Sequence, residues 1–185
     1  MGVRRIVTRS QTLVLIACAF AGSVSASCSA TSRMPDATVV DRGGLPCFSI
    51  PEEIRVSGVT RMYSLQVTEK RSADWKTLPV ELWGFEVDPP GAWIDAAPVR
   101  CIAYGQVPAT AVGHHAPAPL QPHHAYVVFI GARSESATTP VVGYRAEFCL
   151  ISRGSGARSA VVTVPWDDKT MRWRYEVCEP RQCVS

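Results

Sequence analysis

No stretch of this chain after Val39 carries apolar residues at the i, i+3, i+4 spacing of an amphipathic helix through ten residues. That excludes helical bundles and folds that alternate strand with helix. No apolar run after Phe20 approaches the roughly 20 residues of a membrane-spanning helix. Charge of one sign is missing too. The chain has 19 Lys and Arg against 16 Asp and Glu, but Arg4, Arg5 and Arg9 lie in the first ten residues, unaccompanied by any acid, and the remainder balances. A nucleic-acid binder would carry a basic surplus or stripe, so that class is excluded. Catalytic signatures are absent: there is no G-x-S-x-G, no H-E-x-x-H and no P-loop. There is no C-x-x-C and no cysteine beside a histidine, so neither a cysteine-based zinc site nor a redox motif is indicated. The sequence nominates no catalytic residue and no cofactor, and it reads as a non-enzyme.

What is present begins with an address. A cationic head (Arg4, Arg5, Arg9) precedes the apolar run Thr12 to Phe20 and the small residues Gly22 to Ser29. That order is a secretory signal over residues 1–26, which places the mature chain outside the cytosol, where cysteines oxidise. The chain has seven cysteines, and three processing routes are open. Cleavage after Val24-Ser25-Ala26 leaves six. Lipidation at Cys28, after Ser25-Ala26-Ser27, leaves five others, an odd number. Lipidation at Cys18, after Leu15-Ile16-Ala17, fits the usual pattern better and leaves six. The only membrane contact the sequence suggests is such an N-terminal lipid. Residues 27–43, rich in Ser, Thr, Arg and Gly, read as a flexible tether, and 44–185 as a single domain.

The body alternates with period two, the mark of half-buried strands. Over Met62 to Glu69 the pattern puts Tyr63, Leu65 and Val67 on one side. From Gly143 to Ser152, Tyr144, Ala146, Phe148 and Leu150 share one face, with Arg145 and Glu147 on a face expected to be wet. Thr170 to Cys178 repeats the pattern with Met171, Trp173, Tyr175 and Val177. Ala125 to Gly131 and Ala160 to Val164 are continuous apolar runs, expected as central strands. Cys47 to Ile50, Leu78 to Val87 and Val99 to Tyr104 complete about eight strands. Pro165 to Lys169 reads as a tight connection with turn-forming acids. The fold class is therefore all-β: an immunoglobulin-like antiparallel β-sandwich stapled by disulfides, with a small β-barrel as the alternative.

Cys47 and Cys101 lie on strands far apart in sequence, the common setting for a bridge in a sandwich, and form the favoured pair. Cys149 and Cys178 bridge if their strands are neighbours; Cys183 then pairs with Cys28 or stays free. The alternative is a small ring between Cys178 and Cys183. The loop Gln106 to His124 holds four prolines and all four histidines, so it reads as a long surface loop without strand or helix. His114, His115, His123 and His124 are the sharpest local chemistry, and paired imidazoles suit Cu(II) or Zn(II). The plainer alternative is a solvated loop. Glu52-Glu53 and Asp167-Asp168 read as solvated turn charges, because adjacent strand residues point to opposite faces. Trp83 and Trp173 fit core positions, while Trp75, Trp93 and Trp166 stand near turns as edge packing or as an interface hot spot.

Cys47-Phe48-Ser49-Ile50-Pro51, the Tyr63-Ser64-Leu65 strand, Pro98 followed by Cys101-Ile102, Tyr126 in an apolar strand, and Gly143-Tyr144-Arg145-Ala146-Glu147-Phe148 occur in that order. Over residues 45 to 150 the chain resembles the periplasmic immunity lipoproteins associated with type VI secretion, small β-sandwich proteins of Gram-negative bacteria. The resemblance implies export to the periplasm, a bridge between the positions of Cys47 and Cys101, and a non-catalytic role. It also implies a protein partner, an incoming secreted effector toxin that is bound and neutralised. It transfers no partner-binding residue. The chain departs from the pattern in lacking a strong lipobox, in its His/Pro loop, and in the added residues 151 to 185.

Overall fold

A computed structural model describes residues 34–51, 60–70, 79–88, 92–95, 100–134, 143–152 and 159–179. The signal, Cys18, Cys28, Cys183, Glu52-Glu53 and Trp75 lie outside the described residues. Among those described there is no α-helix. The strands are β1 (Thr38–Arg42), β2 (Leu45–Ser49), β3 (Thr60–Glu69), β4 (Glu81–Val87), β5 (Ile94–Asp95), β6 (Ile102–Ala103), β7 (Ala111–Gly113), β8 (Ala125–Ser134), β9 (Tyr144–Ile151), β10 (Ala160–Val164), β11 (Trp166–Asp167) and β12 (Arg172–Trp173). One sheet runs β10-β9-β8-β3-β4-β7, with β5 on the far end of β3; the other runs β1-β2-β6. All these pairings are antiparallel. The sheets stay open, so the chain builds a disulfide-stapled antiparallel sandwich and not the barrel.

The two inner faces meet through large side chains. Phe48 of the small sheet sits between Trp83 and Phe148 of the large one, with ring centroids 6.4 and 5.5 Å away. Leu65, Val67, Phe85, Val128, Ile130, Tyr144 and Leu150 close around them. Burial of each such side chain is worth roughly 1.5–3 kcal/mol, which makes this contact the main source of stability. Cys47 on β2 is joined to Cys101, which lies just before β6. The chain enters along β9, where the Ala37 amide donates to the Arg145 carbonyl and the Arg145 amide donates to the Pro35 carbonyl, both at 2.9 Å. It then crosses to the small sheet as β1.

Several expectations about the strands need correcting. Thr38–Arg42, assigned to the tether, is strand β1; Gly43 and Gly44, at φ 66° and 90°, supply the tight hairpin turn into β2 that only glycine enters without strain. In β3 the register slips between Met62 and Ser64, so Met62 points inward and Tyr63 does not share the face of Leu65 and Val67. β10 ends the large sheet's order instead of lying centrally. Its apolar character has another cause, since the sandwich core lies on one side and the C-terminal segment packs on the other. Thr170 to Cys178 is no continuous strand: Met171, at φ 52° and 70 % exposed, sits in the β11–β12 turn, and Tyr175–Cys178 form a short 3-10 turn.

Candidate functional site

The His/Pro loop is fastened along its length. Its residues 111–113 form β7 on the edge of β4, a strand where none was expected. Prolines flank this stretch without interrupting it, so three residues are free to donate and accept. The His114 amide donates to the Gly84 carbonyl at 3.0 Å and the Ala118 amide to the Leu82 carbonyl at 3.0 Å. Tyr104 donates its hydroxyl to the Ala118 carbonyl at 2.6 Å, and burial together with Tyr126 pushes that phenol up to about 12. At the far end the Gln121 amide donates to the Tyr126 hydroxyl at 2.6 Å, and the His123 amide to the Leu150 carbonyl at 2.7 Å. Between this loop and the Gly43-Gly44 turn lies an open groove of about 540 Å³, lined by Leu45, Tyr104, Pro117 and Leu120 among others.

The histidines of that loop part company. His114 Nδ1 donates to Glu81 Oε1 at 2.6 Å, and His115 Nε2 lies 3.6 Å from the same oxygen. Gln66 donates to the other Glu81 oxygen. His124 Nδ1 donates to Glu69 at 2.9 Å, whereas His123 Nδ1 donates to the Cys178 carbonyl at 3.0 Å. His114 and His115 thus share Glu81, while His123 and His124 each meet an acceptor elsewhere. Among the described residues no group of three or more His, Cys, Asp or Glu is placed to hold a metal ion, so the four-histidine set is not assembled. Gly84 lies directly under the Glu81–His114 pair; a Cβ there would stand 2.6 Å from Glu81 Oε1 and 2.9 Å from the Leu65 carbonyl oxygen.

Burial pushes the Glu81 carboxyl up, but the hydrogen bonds from Gln66 and His114 and the charges of His114 and His115 outweigh it. The net result holds Glu81 below the ordinary carboxylate range. A lowered folded value means that this group stabilises the fold above the unfolded carboxyl's pKa, about 4.3, and that the contribution is lost as pH falls through the folded value. Glu81→Gln should therefore melt below wild type at pH 6, and the gap should narrow as the pH falls below about 4.3. A gap that persists unchanged at pH 3, read from thermal melts across that range, contradicts the assignment.

The second cluster was not anticipated. Glu147, expected on a wet face, is fully buried on the outer side of β9. Lys70 Nζ lies 3.4 Å from its Oε1, Arg145 donates to the same oxygen, and the Tyr175 hydroxyl donates to Oε2. Both carboxylate oxygens are engaged. Burial, followed by the bond to Glu147 and its negative charge, pushes the Tyr175 phenol well above its ordinary range, which keeps it a donor. The Arg145 guanidinium also packs 5.7 Å from the Trp173 ring centre, and the Lys70 ammonium 5.3 Å from that of Tyr175. The cover is held by the Cys149–Cys178 bridge, beside which Val164, Trp173 and Val177 form a second apolar cluster. One sequence signal was available. Cys149 shares its strand face with Arg145 and Glu147, so any bridge to the C-terminal segment drags that segment over both. Asp167, half of an acidic pair, accepts from the Lys169 and Thr170 amides and fixes the β11–β12 turn, as its turn reading predicts. Chemically the Glu147 arrangement is a buried carboxylate with both oxygens engaged, suited to hold two elements together and to present a rigid surface.

Compared with protein-family models, with curated proteins and with solved structures, the chain matches none.

Proposed function

We propose that this chain is an exported periplasmic binding protein of the immunity type, which neutralises a secreted toxic effector by occluding it through protein–protein contact. The export reading rests on the N-terminal signal pattern, and an N-terminal lipid would tie the protein to the membrane. The observation that supports binding most is the fastening of the His/Pro loop. A 19-residue loop with this many prolines would otherwise lose much entropy on docking; here backbone and side-chain bonds to β4, Tyr104, Tyr126 and Leu150 hold it beforehand. Two disulfides and an interdigitated aromatic core stiffen the platform behind it.

Affinity capture from a periplasmic extract with the mature chain, paired with a growth assay, tests the reading. The expected result is one dominant protein partner that arrests growth when exported alone and ceases to do so when this chain is exported with it. Recovery of no partner at micromolar concentrations, or of one whose toxicity is unaffected, contradicts it.

A further inference from the structure

We propose that the outer edge of β7 receives an extended strand of the bound protein partner, one in which lysine or arginine alternates with apolar residues. This rests on the binding-protein reading and names the mode of contact within it. Along an antiparallel ladder, alternate residues aim their backbone groups at the neighbouring strand and away from it. The His114 amide donates to the Gly84 carbonyl at 3.0 Å and the Asp88 amide to the Thr110 carbonyl at 3.3 Å, with Val112 opposite Glu86 between them. Residues 110, 112 and 114 therefore serve β4, and the backbone groups of Ala111 and Gly113 aim at the open side. The Ala111 amide is taken by the Pro108 carbonyl at 2.9 Å. The Ala111 carbonyl and both backbone groups of the exposed Gly113 meet no hydrogen-bond partner among the described residues.

Three other edges are closed by the chain itself. On β6 the Ala103 amide donates to the Gln106 side-chain oxygen at 3.4 Å, and the Gln106 amide donates back to the Ala103 carbonyl at 2.9 Å. The edges of β1 and β10 close on each other: the Val161 amide donates to Asp41 at 3.2 Å, and the Thr163 hydroxyl to the Val39 carbonyl at 3.3 Å. Proteins blunt edges in this manner, or with lysine, proline or a bulge, because a bare edge templates pairing with another chain. Ala111-Val112-Gly113 contains neither lysine nor proline, and its register with β4 is unbroken. The bonds to β4 hold this edge extended before any partner arrives, which lowers the ordering cost of binding.

The side chains beside the edge define what fits it. On the outer face Val112 is 59 % exposed; Glu86 stands across from it, exposed, and Asp88 follows two residues on. No ion pair engages Glu86 or Asp88 among the described residues. A lysine or arginine on the outer face of an added strand lays its stem along Val112 and carries its charge toward these acids. The opposite face is apolar. There Val107, 40 % exposed, places Cγ2 3.0 Å from where a Cβ of residue 113 would stand. An apolar side chain of the added strand, on that same face, packs beside Val107. Backbone bonds then supply affinity and the alternating side chains supply selectivity.

The test uses the mature chain labelled for NMR and three capped peptides. The first is Thr-Lys-Val-Lys-Val-Lys-Thr, the second has glutamate for each lysine, and the third is the first N-methylated at both valines, whose amides would face β7. With the first peptide the Gly113 amide signal should move downfield saturably, and its exchange with water should slow. Affinity should be about tenfold weaker, or undetectable, for the other two. Glu86→Gln with Asp88→Asn should weaken the lysine peptide roughly threefold to tenfold, and Val112→Lys should abolish its binding, with near-ultraviolet circular dichroism unchanged in both. Absence of a saturable shift at Gly113, equal binding of the N-methylated or the glutamate peptide, or an unaffected Val112→Lys variant overturns the proposal. Self-association of the chain that Val112→Lys abolishes assigns the edge to a second copy and overturns it too. The partner supplies the second arm. If it is captured equally well by Val112→Lys, the edge assignment falls and the binding function stands. If no partner is captured at all, the function falls while the peptide titration still decides the edge.

Discussion

Replacing Cys47 and Cys101 together by serine is expected to lower the unfolding free energy by about 4 kcal/mol, the chain-entropy value for a bridge across 54 residues. Both sulfurs lie where the small sheet meets the core: Cys47 is buried on β2 beside Phe48, and Cys101 directly precedes β6. β6 contributes only two paired residues to its ladder, so the bridge carries much of its attachment. Urea titration should show a lower midpoint. The contrast is Cys149→Ser with Cys178→Ser, where the span is 29 residues and the entropic loss about 3.5 kcal/mol. This second pair has a local consequence that the first lacks, because it releases the 3-10 turn that covers Glu147. Limited proteolysis should cut the second variant within residues 165–179 before global unfolding, and should leave that region intact in the first. Identical cleavage patterns, or losses below about 1 kcal/mol for both variants, contradict this division of roles.

Glu147→Ala is the other change with a large expected effect. The carboxylate is fully buried and serves Lys70, Arg145 and Tyr175 together. Its removal leaves two cations and a hydroxyl facing each other without their anion. Breaking a buried pair in this way costs about 3–5 kcal/mol. The side chains of Lys70 and Arg145 are 35 % and 38 % exposed and can turn to water, so the expected loss falls to about 2–3 kcal/mol. For a domain of this size that lowers the melting temperature by roughly 5–10 °C. Glu147→Gln, which retains acceptor capacity without the charge, should lose about half as much. Equal melting temperatures for Glu147→Ala and wild type would show that the network adds nothing to stability.

Much of the fold was legible because its signals are local. Tyr144, Ala146, Phe148 and Leu150 alternate along seven residues of sequence and face the core as that alternation requires. The run Ala160 to Val164 is β10 to the residue. Where local reading failed, a partner element supplied the missing term. Nothing within Met62 to Ser64 announces the bulge, which arises from the pairing of β3 with β8. The His/Pro loop contains a strand because β4 offers an unpaired edge at Phe85 to Val87. The candidate site was less legible still. The histidines invited one metal set, yet their acceptors are spread apart: Glu69 and Glu81 at the ends of two other strands, and the Cys178 carbonyl in the C-terminal segment.

Period-two alternation, proline and glycine punctuation and widely spaced cysteines were enough to specify a disulfide-stapled antiparallel sandwich, because each acts over a few residues or restricts a single pairing. Residues 70, 145, 147 and 175 come together only once the sheet is assembled. No short window of the chain contains such a set. Convergence across such separations depends on sheet order and on which segment covers which face, and that is settled by packing in three dimensions.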